Sequence, residues 1–402
     1  MKSNHNNNFQ LNIFTVIGLN LILTVFTLGS IQFLTTAQNN TNNSLEIPFT
    51  DPLIPTTDRN LSPLETKRIE REIIKINQQA TTELSLGNQE LAFKLWFREL
   101  RLQRALGREA EITALGRIGN IAWQQNRGVE LREIAQRLIA IEQEAVNPNN
   151  LDDNFLSAIG LAYQKIKYFE KAINIYQKIL KQARQQNDVV AETANLEQLG
   201  KLYLAKFDYS PAASTYEELL NLVQHNKGNS QVIEVYLLNL IEIYQRLEQP
   251  EAAIKHQKTL LDKYISEGKI YSVAKLQIAL GNNYQSLEQT QLASQYYQEA
   301  YTLAHSLQQL ALAADSLTHL GKLYQQENQL ELAIAIYQQL IDTEHQANDF
   351  YGVMDAYDNL GNIYLEREEY SQALAAFEAG LEIAKSFNYR INYFVNKIEQ
   401  LK

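Results

Sequence analysis

The chain has 402 residues, 36 Lys+Arg against 46 Asp+Glu, a net charge of −10 and no Cys. With 45% hydrophobic and 20% charged residues, its composition is neither disordered nor collagenous. Zero Cys excludes a disulfide scaffold, thiolate zinc sites, thiol catalysis and a lipid-modified Cys, and the negative balance argues against a nucleic-acid partner, which needs a basic stripe to release counterions.

Residues 1–37 read as an export signal or membrane anchor. Lys2 is the only formal charge before a run from Ile13 to Ile31 that is rich in Ile, Leu, Val and Phe. Thr35-Thr36-Ala37 follows, with the small-residue spacing a signal peptidase cuts after. The run 13–31 is also just long enough to span a bilayer, although Asn12, Asn20 and Gln32 weaken that alternative. Either reading places the bulk in the periplasm or another extracytoplasmic space, secreted or N-terminally anchored. Residues 38–64 read as a flexible Asn/Thr/Pro linker, because four of the seven prolines (Pro48, Pro52, Pro55, Pro63) cluster there and no helical or strand period is present.

From Glu65 onward a repeat of about forty residues dominates. Ile118-Gly119, Ile159-Gly160, Leu199-Gly200, Leu240-Ile241, Leu280-Gly281, Leu320-Gly321 and Leu360-Gly361 mark one point in successive units. Three residues after the last six pairs stand Tyr163, Tyr203, Tyr244, Tyr284, Tyr324 and Tyr364. Twelve after them stand Ala172, Ala212, Ala253, Ala293, Ala333 and Ala373, each followed four residues later by Tyr176, Tyr216, Gln257, Tyr297, Tyr337 and Phe377. Ala92 and Trp96 hold these offsets in an earlier, degenerate unit, in register with Leu131 and Ala135. In the last unit Tyr357, Leu360, Gly361 and Tyr364 share one helical face, and Ala373, Phe377 and Gly380 share a face of a second helix. Small Gly361 and Ala373 predict closely crossing axes, with Tyr364 and Phe377 filling the space beyond. One helix pair buries too little to offset the entropy of ordering forty residues, so each unit must bury its second face on a neighbour. Ile391, Phe394, Val395, Ile398 and Leu401 form one face of a closing helix, giving a repeat body over 65–388 and a cap over 389–402.

The Leu-Gly-x-x-Tyr of the first helix and the Ala-x-x-x-Tyr/Phe of the second resemble the tetratricopeptide repeat (TPR). The period resembles its longer-helix variant, found in kinesin light chains and bacterial peptide-sensing regulators. The resemblance covers about four fifths of the chain. It implies an all-α, right-handed superhelical solenoid of about eight helix-turn-helix units. The usual Pro at the unit's end is missing, and Leu240-Ile241 lacks the Gly.

No catalytic constellation is present: no phosphate-binding loop, nucleophile elbow, His-Glu-x-x-His or calcium loop. The six His lack metal-ligand spacing, and paired acids such as Glu217-Glu218 and Glu368-Glu369 read as solvated faces and turns. The chain is therefore expected to be no enzyme and to need no cofactor or metal. The resemblance implies that the first helices line an inner surface. Residue by residue it points to Asn120, Trp123, Ser157, Gln164, Glu197, Lys201, Glu242, Gln245, Asn282, Gln285, Thr318, Lys322, Asp358 and Asn362. This stripe is amide-rich and mixed in charge, suited to an extended peptide backbone. The Lys-and-Asn clamp by which some relatives hold a C-terminal carboxylate is not matched.

Residues 65–147 hold 13 Lys+Arg against 12 Asp+Glu, whereas 148–402 hold 21 against 31. Arg98, Arg101, Arg104 and Arg108 step along one second helix. They read as an outer solvated face, or as a patch for an acidic partner or lipid headgroups. The expected function is a scaffold or adaptor outside the cytoplasm that binds a protein or peptide, with no nucleic-acid partner and with residues 13–31 as a link to the membrane. The layout is also similar to a periplasmic TPR assembly factor of photosynthetic membranes, and a membrane-anchored peptide sensor is a further alternative.

Overall fold

The computed structural model describes residues 43–46, 50–56, 59–145, 153–226 and 229–401. The expected leader, with its apolar run 13–31, lies outside them. Among the described residues no helix is long and apolar enough to cross a membrane. They form seventeen α-helices and no strand. The described residues divide into two compact units: those up to 111 with 127–140, and 112–126 with those from 141 onward.

The first unit holds α1 (Pro63–Ser85), α2 (Gln89–Leu106), the start of α3 (Arg108–Gln124) and most of α4 (Gly128–Ala145). α1 begins on a capping box. The Ser62 hydroxyl accepts from the Glu65 amide, the Glu65 carboxylate accepts from the Ser62 amide, and Pro63 sits at the first helical position. Its buried face, Ile69, Ile73 and Ile76, packs with Leu102 of α2. Trp96 is buried and donates from Nε1 to Asn77 at 3.1 Å.

The linker reading of residues 38–64 needs correction over its described part. Leu45 is 1% exposed and Asp51 is 5% exposed. Asn43 Nδ2 donates to the Glu133 carbonyl of α4 at 3.0 Å, Glu46 pairs with Arg137 at 3.3 Å, and Asp51 pairs with Arg98 of α2 at 2.8 Å. Leu53 and Ile54 pack on the α1–α2 core. The segment is a strap fixed by side chains, and such burial leaves no periodic signature in sequence.

The second unit continues from α3 through α5 (Asp153–Lys165), α6 (Phe169–Gln186), α7 (Val189–Ala205), α8 (Tyr209–His225), α9 (Ser230–Arg246), α10 (Pro250–Ser266), α11 (Val273–Ser286), α12 (Thr290–Ser306), α13 (Leu310–Gln326), α14 (Leu330–Ala347), α15 (Phe350–Glu366), α16 (Tyr370–Ser386) and α17 (Ile391–Glu399). From α5 to α17 every consecutive pair of helices packs together, so the unit is an all-α solenoid of hairpins. The repeated glycines explain the close crossing, with one change from expectation: each faces the aromatic of the second helix. A Cβ on Gly200 would come 2.9 Å from the Tyr216 ring, and one on Gly361 2.6 Å from the Phe377 ring. In the unit where Ile241 replaces the Gly, the aromatic is replaced as well, by fully buried Gln257.

Hairpin turns repeat too. Asn126, Lys167, Phe207, Glu248, Glu288, Asn328 and Glu368, each seven residues after the pair, all adopt a left-handed backbone, with φ between 54° and 65°. The end of the array is closed by α17, whose Phe394 lies against Gly380 as the earlier aromatics lie against their glycines. Phe394 and Ile398 share a core with Met354, Ala373 and Phe377.

Candidate partner-binding surface

The expected stripe lies on first helices at accessible positions. Lys201, Gln245, Asn282 and Lys322 are exposed, and Asn120, Ser157, Gln164, Glu197, Glu242, Gln285 and Thr318 are half-buried. Trp123 is exposed, with the Lys167 ammonium 5.3 Å from its ring centroid. Neighbouring first helices are bridged on this face. The Tyr236 hydroxyl of α9 donates to Glu197 of α7 at 2.5 Å, and Gln285 of α11 donates to Gln326 of α13 at 2.8 Å. Second-helix tyrosines reach the same face from behind. The Tyr297 hydroxyl lies 2.6 Å from Asn282 Oδ1 and 2.8 Å from Gln285 Oε1, because Gly281 leaves room for its ring. Burial raises the Tyr297 and Tyr337 phenols, the latter to about 12, so both stay neutral.

Two of the expected positions are taken by the chain itself. Asp358 is held by Arg390 at 2.8 Å and by the Tyr393 hydroxyl at 2.9 Å, and Asn362 Oδ1 accepts from Lys397 at 2.7 Å. The residues of and just before α17 thus cover the stripe where it crosses α15. The accessible stretch of named residues in the repeats α7–α13 runs from Glu197 to Lys322. Its charges are mixed and locally balanced: Lys201 lies 4.0 Å from Glu197, and Arg246 lies 3.9 Å from Glu242.

The row of arginines on α2 is not a free basic patch. Arg98 is engaged by Asp51 and by Glu72 at 2.8 Å, which raises its guanidinium, and Arg104 binds Glu111 at 2.8 Å. Arg101 is half-buried and lowered by desolvation. Arg108 lies at the first position of α3, not on α2. Carboxylates of the strap and of neighbouring helices neutralise this row, and sequence spacing along one helix cannot show that.

Sequence reasoning also missed a polar cluster. Glu217, read as a solvated acid, receives the Tyr244 hydroxyl at 3.1 Å and lies 2.7 Å from His256 Nε2. His256 is 2% exposed, stacks on Tyr244, and is lowered by burial, so it is a neutral core imidazole. The signal available was its position one residue before Gln257, the site of the missing aromatic. No group of His and acidic residues able to hold a metal ion occurs among the described residues.

Four stretches match family models described as tetratricopeptide repeat: residues 156–190, 232–306, 314–344 and 353–386. No curated protein matches the sequence. Among solved structures the chain is similar to BtubC (BKLC) from P. vanneervenii, at 22% identity over 55% of this chain and 92% of that one, with a TM-score of 0.39. It is similar to the apo form of RapI at 11% identity, over 83% of this chain and 97% of that one, with a TM-score of 0.41. It is also similar to YrrB, described as a TPR protein with an unusual peptide-binding site, at 18% identity over 51% of this chain and 91% of that one, with a TM-score of 0.34. With its helix pairs, its Gly–aromatic crossings and four matched stretches between residues 156 and 386, the chain belongs to the tetratricopeptide repeat family, whose members are typically non-catalytic protein-interaction scaffolds.

Proposed function

We infer that this scaffold holds an extended segment of a protein partner on the first-helix face of its second unit, between Glu197 and Lys322. The observation that carries this reading is the amide set Gln245, Asn282, Gln285 and Gln326, in which Tyr297 holds Asn282 and Gln285, and Gln285 is bound to Gln326 of the neighbouring first helix. Side-chain amides offer donor and acceptor together, which matches the alternating N–H and C=O of an extended backbone, and preset orientation lowers the entropy lost on binding. The balanced charge of the face favours a peptide of mixed charge.

The reading is tested with a photoreactive residue placed at Asn282 or Lys322 and, as a control, at exposed Gln338 on a second helix. Crosslinking in the native cell should join the first two positions to one segment of one partner and leave Gln338 unlinked. Equal crosslinking from all three positions overturns it. We place the scaffold outside the cytoplasm, supported by the apolar run 13–31 and Thr35-Thr36-Ala37. Fractionation with N-terminal sequencing should find the protein in the envelope or beyond; a cytosolic protein retaining Lys2 contradicts the placement.

A further inference from the structure

The strap of the first unit has a counterpart site in the second that the described chain leaves unfilled. Counted from the repeat position that Ala92, Leu131, Ala172 and Ala212 share, Arg98 and Arg137 of α2 and α4 correspond to Lys178 and Glu218 of α6 and α8. In the same register Arg101 corresponds to Lys181 and Arg104 to Arg184, and Glu111 stands as far before Gly119 as Glu192 before Gly200. The brace between helices is reproduced as well: Arg104 Nε donates to Glu111 at 2.8 Å, and Arg184 Nε donates to Glu192 at 2.8 Å.

In the first unit residues 43–46 lie on α4 and Asp51 lies on α2 at these positions. Leu45 is buried, Glu46 is held by Arg137, and Asp51 is held by Arg98, with Arg101 close enough to help lower its carboxyl. In the second unit the equivalent place is a cavity of about 530 Å³. Leu196, Leu199 and Tyr203 of α7 line it, together with Lys181 and Arg184 of α6 and Glu218 of α8. The cavity thus offers an apolar floor and a volume that suits a few side chains, and it shares with the first unit the Arg–Glu brace at its edge. One feature is reversed. Where Arg137 takes the strap's Glu46, the second unit presents Glu218, whose other partner is Arg184.

We propose that the α6–α8 cavity docks an extended peptide segment of a protein partner in the manner of the strap, with an apolar anchor, a basic residue directly after it and a carboxylate six residues after the anchor. The anchor occupies the place of Leu45 over Leu196 and Leu199. The basic residue meets Glu218. The carboxylate meets Lys181, the counterpart of Arg101, because Lys178, the counterpart of Arg98, is already paired with Glu142 at 3.5 Å. The chain's own strap is rejected at this cavity, because Glu46 would stand against Glu218. The site lies apart from the first-helix face and does not depend on that face binding anything.

The test uses the full chain and two labelled peptides of residues 43–54, one with the native sequence and one carrying Glu46→Lys, titrated by fluorescence anisotropy. The Lys peptide should bind about tenfold or more tighter than the native one, and Leu45→Ala in the peptide should abolish the difference. Glu218→Lys in the protein should reverse the preference, with Lys181→Glu as a second variant that weakens the Lys peptide through its distal carboxylate; circular dichroism confirms that both variants fold. The proposal is overturned if neither peptide binds at concentrations on the order of 1 mM, or if Glu218→Lys leaves the ratio unchanged. A native-sequence peptide that binds the wild-type chain more tightly, by displacing the strap, overturns it too.

Discussion

Gly281 shows how one missing carbon sets the crossing of a hairpin. A Cβ there would overlap the Tyr297 ring, whose hydroxyl is in turn bound to Asn282 and Gln285. Gly281→Ala should therefore destabilise the protein by about 1–3 kcal/mol, read as a lower urea midpoint. Tyr297→Leu added to it should cost less than the two single changes summed, because the clash is removed with the ring. The natural pair Ile241 and Gln257 is the same exchange already made within the chain. Sequence spacing located these positions but set Gly opposite Ala, since a repeat offset gives the face of a helix and not which side chain crosses to the next one. Glu288 makes the complementary point. It is exposed and left-handed, with φ of 57°, so Glu288→Gly should stabilise the chain by about 1 kcal/mol, measured by the same unfolding curve. The residue types did not announce the left-handed backbone, because Glu, Lys and Phe hold five of the seven positions and Asn only two.

The α14–α15 junction carries a pH dependence. Glu344 is packed against Gly352, and its carboxyl is pushed up to about 7, chiefly by burial and then by Asp349, Asp355 and Asp315. The folded state therefore binds a proton more tightly than the unfolded state, whose Glu titrates near 4.5. Glu344's contribution to stability is fully present below about 4.5 and is lost as pH rises through about 7. Thermal unfolding from pH 5 to pH 8 should show this fall, and Glu344→Gln should flatten it and raise the melting temperature at pH 8. The closing helix α17 makes a separable contribution. Phe394→Ala empties the site against Gly380 and should cost about 3–5 kcal/mol, appearing as faster amide exchange in α15–α17 ahead of the other helices. The amphipathic face of this helix was legible in sequence. Its polar contacts were not: Arg390, Tyr393 and Lys397 cover Asp358 and Asn362 through a docking that no spacing within one helix encodes. The strap hid for a related reason, since the burial of Leu45 depends on what an extended segment meets.

Across the molecule, a forty-residue period was enough to give fold class, helix pairing and the first-helix face, because each unit repeats one packing solution. Charge placement was not legible in that way. Arg98 and Arg104 looked like an open patch until Asp51, Glu72 and Glu111, distant in sequence or on the next helix, closed on them. The chain's identity as an interaction scaffold follows from the repeats, whereas the side chains of the first-helix face vary from repeat to repeat. The array itself predicts how a local injury spreads. In the second unit every helix from α5 to α17 packs on its chain neighbours, so stability is a sum of hairpin and nearest-neighbour contributions. Native-state hydrogen exchange on Gly281→Ala measures this distribution helix by helix. Protection should fall most in α11 and α12, less in α10 and α13, and stay unchanged in α5, α6 and α16. A uniform loss of protection across the unit would mean a single cooperative core and would contradict stacking by nearest neighbours.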